Sequence, residues 1–261
     1  MLKLTNITKT FNPGTITEKR AIRGVDLEIE DGDFITVIGG NGAGKSTLLN
    51  IIAGVHYTDS GSIFLDDIEL TGRPEFERAK YLGRVFQDPM LGTAASMSIE
   101  ENLAMAMRRG KRRGLSWYVK AEEKEIYRQK LALLDLGLEK RMNAKVGLLS
   151  GGQRQALTLL MSTLQKPKLL LLDEHTAALD PKTAKKVLEL TEEFVSRDNL
   201  TAFMVTHNMK DAIRYGNRLI MMMDGKVVYD VRGEEKKNLK VEDLLAKFSV
   251  AGEMNDKMIL S

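Results

Sequence analysis

Gly39-Gly40-Asn41-Gly42-Ala43-Gly44-Lys45-Ser46-Thr47, or GGNGAGKST, stands between the apolar run Phe34 to Ile38 and the residues Leu48, Leu49, Ile51 and Ile52. The run reads as a buried strand, and the four apolar residues recur as they would along one helix. A glycine-rich turn therefore joins strand to helix. In that context the pattern G-x-x-x-x-G-K-S/T marks a phosphate-binding loop.

The chemistry behind the pattern is specific. Glycines allow close backbone approach and positive φ, so successive N–H groups can face phosphate oxygens while the following helix adds its positive end. Lys45 is expected to bridge the outer phosphates, and the Ser46 hydroxyl to ligate magnesium. A plain turn has no need of Lys-Ser at that offset. Gly39 through Thr47 are thus the expected binding residues for a nucleoside triphosphate.

Outward from the loop, apolar runs recur around Val25 to Ile29, Leu169 to Leu172, Leu200 to Val205 and Leu219 to Met222, separated by helical patterns. That alternation predicts an α/β fold. Asp180 and Pro181 signal a helix start, with Ala184, Val187, Leu188, Thr191, Phe194 and Val195 on one face. Between about Pro89 and Gln165 no strand pattern stands out, while Ser98-Ile99-Glu100-Glu101 forms a capping box and Tyr127, Leu131 and Leu134 share a face. This segment reads as a helical insertion in the α/β chain. Leu2 to Ile7 alternates as a strand and not as a leader peptide. Asp224-Gly225 predicts a hairpin into Val227 to Val231, followed by a polar stretch and a short helix near Val241 to Phe248, with the tail 251–261 frayed.

Composition sets the bounds. The chain has 261 residues, 43% of them hydrophobic, enough for a sizeable core. Lysine and arginine total 39 against 36 acidic residues, a balance too even to argue for nucleic acid as a partner. With no cysteine, disulfides, thiolate-held metals and thiol catalysis are excluded, and a reducing compartment fits. The longest aliphatic run, Leu169 to Leu172, is too short to span a bilayer, so action at a membrane would require another chain. The basic run Arg108 to Arg113 reads as a solvated loop. Met161, Met204, Met209, Met221, Met222 and Met223 read as core filler.

A second glycine motif, Leu149-Ser150-Gly151-Gly152-Gln153, opens a helix through Ala156, Leu157, Leu160 and Leu164. Beyond it lie Leu169-Leu170-Leu171-Leu172-Asp173-Glu174, then Ala178-Leu179-Asp180, then Thr206-His207. In this order the motifs resemble those of the ATP-binding-cassette (ABC) ATPases, over most of the chain from about Leu2 to Val231. The resemblance implies a P-loop NTPase of ABC-ATPase fold: a RecA-like core, an antiparallel β subdomain and an inserted helical subdomain at about 89–165, in one domain spanning 1–250.

The resemblance also implies roles. Phe11 takes the place of the aromatic that stacks on adenine. Gln87, in Val85-Phe86-Gln87-Asp88, meets magnesium and the attacking water and links the core to the helical subdomain. Asp173 orients magnesium, Glu174 activates the water and His207 contacts the γ-phosphate. Ser150, Gly151, Gly152 and Gln153 read that phosphate from the opposite subunit, and Asp180 contacts the partner. ATP and Mg2+ are the implied cofactors. The chemistry agrees, because phosphoryl transfer to water needs charge neutralisation and an aligned nucleophile, which Lys45, a metal, a base and extra donors supply without a covalent intermediate.

Two loops from two subunits converging on one nucleotide make ATP the glue of a homodimer or paired cassette. The expected function is ATP hydrolysis driving a membrane transporter, through separate integral permease chains and with a substrate-binding protein, at the cytoplasmic face of a bacterial membrane. The details LLLLDEHTAALDPKTA and FQDPMLGTAASMSIEENLAMAM look like ATPases of importers, some assigned to aromatic amino acids. The rival is a stand-alone assembly ATPase, for instance of iron-sulfur scaffold machinery, which shares size and motifs.

One departure stands out: His175 where the family usually has proline. A titrating His175 would make hydrolysis pH-sensitive, whereas a neutral, hydrogen-bonded histidine would not. His56 reads as a surface residue.

Overall fold

The computed structural model describes residues 1–111 and 119–249. Part of the basic run Arg108 to Arg113, and the tail 251–261, lie outside them.

In chain order the elements are β1 (Leu2–Phe11), β2 (Lys19–Ile29), β3 (Phe34–Gly39), α1 (Lys45–Ala53), β4 (Ser60–Leu65), β5 (Ile68–Glu69), α2 (Glu75–Arg78), β6 (Leu82–Val85), α3 (Ile99–Met107), α4 (Ala121–Ala132), α5 (Gly151–Thr163), β7 (Leu169–Asp173), α6 (Pro181–Asp198), β8 (Ala202–Val205), α7 (Met209–Arg214), β9 (Arg218–Met223), β10 (Lys226–Arg232) and α8 (Gly233–Lys237). A last helix covers 241–249. The chain divides into two compact units, Met1–Glu75 with Thr201–Ser261, and Phe76–Leu200.

The first unit holds an antiparallel sheet in the order β2-β1-β4-β5. In β1 the inward Leu2 and Leu4 are buried and their neighbours exposed, the alternation of a strand with one wet face. The same unit holds β3 between parallel neighbours β8 and β9, with β10 returning antiparallel to β9. Phe34 to Ile38 are all buried, as a strand covered on both faces requires. Thr36 fits there because its hydroxyl donates to the Ala212 carbonyl at 2.8 Å. Below β3, Ile38, Ala212, Leu219, Met221, Val231 and Leu244 form one apolar cluster, with Phe248 of the last helix against it.

One ion cluster sits among these strands. Arg218 reaches Asp230 at 2.6 Å, Asp33 at 3.6 Å and the Glu28 carbonyl at 2.6 Å. Asn217 donates to Asp33 at 3.0 Å and accepts from the Phe34 N–H at 2.8 Å, tying β9 to the entry of β3. The bond to Asp230 raises the guanidinium's already high pKa, so the buried charge is held by its partners.

The second unit pairs β6 with β7 in parallel, Leu82 against Leu169 through Val85 against Leu172. It is broader than the helical insertion expected at about 89–165, since it includes this strand pair and α6. Among the described residues 89–165 carry helices and no strand, with one isolated bridge between Ser98 and Lys145. Ser98 caps α3 through the full box with Glu101. Tyr127, Leu131 and Leu134 are buried as expected, although Leu134 lies just past the end of α4. Asp180 caps α6 by accepting the Thr183 N–H at 3.1 Å, with Pro181 at the first helical position.

Candidate active site

In the first unit, β3 delivers the chain into the glycine-rich loop and α1 begins at Lys45. Gly44 precedes that helix at φ 99°, and a Cβ there would stand 2.6 Å from the Ala21 carbonyl oxygen, so the turn needs glycine twice over. The Lys45 side chain is buried and donates from Nζ to the carbonyls of Gly39 at 2.8 Å and Gly40 at 3.2 Å. The loop is thus folded over its own lysine, with Gly40, Asn41, Gly42 and Ser46 exposed. Phosphate oxygens would take over from those carbonyls as acceptors.

Two further expected residues belong to this unit. His207 is exposed after β8, in a turn where Thr206 accepts the Asn208 N–H at 3.1 Å and Asn208 caps α7. Phe11 ends β1, half-buried. His56, expected on the surface, is half-buried too, and its ring meets Phe11 edge to face with centroids 5.2 Å apart. The sequence alone held no sign that His56 would reach the aromatic.

The second unit carries the rest. Ser150 accepts the Gln153 N–H at 3.3 Å, and its own N–H donates to Gln153 Oε1 at 3.2 Å, a complete capping box that fixes the second glycine motif at the start of α5. At Gly152 a Cβ would come within 2.0 Å of Thr183 Cγ2, so this glycine allows α5 to approach the start of α6. Asp180 is exposed, and hydrogen bonds from Thr183 hold its carboxyl below the usual carboxylate range. Gln87 is exposed just beyond β6.

Asp173 is the last residue of β7 and half-buried, and Glu174 follows at φ 44°, in the left-handed region. Its carbonyl accepts the Ala177 N–H at 2.9 Å, closing a turn. The strand therefore ends between the two carboxylates. His175 is buried, with Nε2 3.1 Å from the Thr191 hydroxyl, and burial pushes its pKa down to about 4. It is neutral near pH 7, which supports the hydrogen-bonded reading over a switch beside Glu174.

A phosphate loop between strand and helix, in a mixed α/β chain with a capped second glycine motif, defines a P-loop ATPase. The family model described as "ABC transporter" matches residues 22–177, and the chain belongs to that family. It is similar to the "Tyrosine transport ATP-binding protein" of Clostridioides difficile, 48% identical over 256 residues that cover 96% of this chain and all of the relative. A phosphonates import ATP-binding protein of Synechococcus sp. is 35% identical, over 88% of this chain and 84% of the relative. Among solved structures, a dimeric post-hydrolysis ATP-binding cassette bound to ADP and Pi matches at TM-score 0.75 and 31% identity, covering 89% of this chain and 98% of that one. The protein is accordingly an ATP-binding, ATP-hydrolysing subunit of an ABC transporter.

Proposed function

We propose that the chain powers a bacterial importer of amino acids, with aromatic ones the first class to test. The observation that carries this reading is the 48% identity, end to end, with a relative named for tyrosine transport. Import also accords with the name of the phosphonates relative.

In this reading a single cassette spans 1–250, and two copies, or this chain and a related cassette, close on ATP. Lys45 and the amides of Gly39 to Thr47 hold the phosphates, and Phe11 stacks on adenine. Glu174 takes the proton of the attacking water, which Gln87 aligns, and His207 steadies the γ-phosphate. Ser150, Gly151, Gly152 and Gln153 read the nucleotide of the other copy, and Asp180 meets that copy. Binding favours the closed pair and hydrolysis the open one, so turnover becomes motion.

The donor set suits magnesium. Among the described residues no cluster of three His, Asp or Glu could hold a metal alone. Ser46, Gln87 and Asp173 offer a hydroxyl, an amide oxygen and one carboxylate, the sparse set a magnesium ion accepts when phosphate oxygens and water complete its shell. Such an ion would neutralise charge on the β and γ oxygens.

Among the described residues no helix is long and apolar enough to cross a membrane. In this reading permease chains form the pathway, a binding protein delivers cargo and this chain sits at the cytoplasmic face. The test is uptake of labelled tyrosine by cells carrying either the wild-type chain or Glu174→Gln. Loss of uptake with the variant is expected, with phenylalanine and tryptophan competing in the wild type. Unchanged tyrosine uptake would overturn the cargo.

A further inference from the structure

The segment that carries Gln87 is fastened along α5. Gln155, fully buried on that helix, donates from Nε2 to the Phe86 carbonyl at 3.0 Å, one residue before Gln87. One turn further, Gly92 lies so close to Thr158 that a Cβ would stand 2.5 Å from Cγ2. Between them Pro89 is buried, and Arg154 Nη1 lies 2.7 Å from the Met90 sulfur. Gln155 thus makes a polar contact to the backbone directly before the expected catalytic glutamine.

The amide also carries a cost. Gln155 Oε1 is buried with no partner among the described residues, and a leucine or methionine of similar size would avoid that penalty. The acceptor it serves is a carbonyl, so an NH2 group is what the position requires. Helix α5 begins at the Ser150 motif, one turn from Gln155, and a helix moves as a rigid element.

We propose that Gln155 is a positioning residue that sets the peptide preceding Gln87 and thereby ties Gln87 to the helix that bears the Ser150 loop. The inference rests on the reading of Gln87 as the residue that aligns water.

The test compares steady-state ATP hydrolysis by the full chain as wild type, Gln155→Leu, Gln155→Glu and Gln87→Ala, with ATP affinity measured alongside. In Gln155→Leu, kcat should fall about tenfold, because Gln87 loses its alignment with the attacking water in the transition state, with KM for ATP unchanged. In Gln155→Glu the buried carboxyl has a raised pKa, and its protonated form can again donate to the Phe86 carbonyl. Arg84, over the Phe86 ring at 4.4 Å, and Arg154 keep their charge throughout. Activity of Gln155→Glu relative to wild type should therefore climb as pH falls from about 8 to about 6, while Gln155→Leu stays flat.

If Gln87→Ala hydrolyses ATP like wild type, the reading of Gln87 fails. If Gln87→Ala is impaired but Gln155→Leu is within twofold of wild type, or Gln155→Glu shows no recovery at low pH, the inference about Gln155 fails alone. Loss of ATP binding in both Gln155 variants would also overturn it, because the residue would then serve folding and not position.

Discussion

The buried imidazole of His175 makes a quantitative prediction. In the unfolded chain it titrates near its ordinary pKa of 6.5, whereas in the fold burial lowers this to about 4. Below pH 6.5 the unfolded state takes up a proton that the folded state refuses, so stability is full above that value and is lost as pH falls toward the folded pKa. Between pH 7 and pH 5 the linkage is worth about 2 kcal/mol. His175→Gln removes the titration and keeps an amide able to bond the Thr191 hydroxyl. Whatever gap in unfolding free energy separates wild type from this variant at pH 7 should move by about 2 kcal/mol in the variant's favour at pH 5, read by urea denaturation at each pH. A gap that does not change with pH, or an imidazole signal titrating near 6.5, would refute the reasoning. The pH profile of hydrolysis near neutrality should not depend on this residue.

Other perturbations follow from the site. Lys45→Ala removes the ammonium held by the Gly39 and Gly40 carbonyls and should weaken ATP binding at least tenfold by fluorescent-nucleotide titration. Glu174→Gln should bind ATP normally, hydrolyse it at least a hundredfold more slowly and run as a stable dimer on size exclusion; turnover near wild type would exclude it as the base. Gly152→Ala places a methyl against Thr183 and should cost about 1–3 kcal/mol of stability with loss of ATPase activity, partly restored by adding Thr183→Ser. No restoration would mean that the clash is not the cause.

The α/β alternation, the phosphate loop and the Asp180–Pro181 helix start were all legible, because each rests on local rules of period, capping and turn chemistry. The strands β4 and β6 were not, since Ser60–Leu65 and Leu82–Val85 are short and mix glycine and polar residues with apolar ones. Helix α8 hid in a polar stretch whose main anchor is Lys236, a buried lysine donating to the carbonyls of Tyr215 and Gly216. Such a contact spans some twenty residues and leaves no periodic trace. For the same reason the contacts of Gln155 beside Gln87, of His56 with Phe11 and of Thr183 with Gly152 were not legible: each joins residues distant in the chain. His175 shows how burial decides chemistry, since its identity suggested titration and its surroundings forbid it.

The capping box at the start of α5 has a further consequence. A hydroxyl has one proton and two lone pairs, and Ser150 spends a lone pair on the Gln153 amide. That leaves its proton free to be donated, so under the proposed function the same contact that begins the helix would leave the serine a donor for the phosphate of the other copy's nucleotide. Alanine at this position would abolish both offices together, whereas aspartate would preserve the first and turn the second into repulsion.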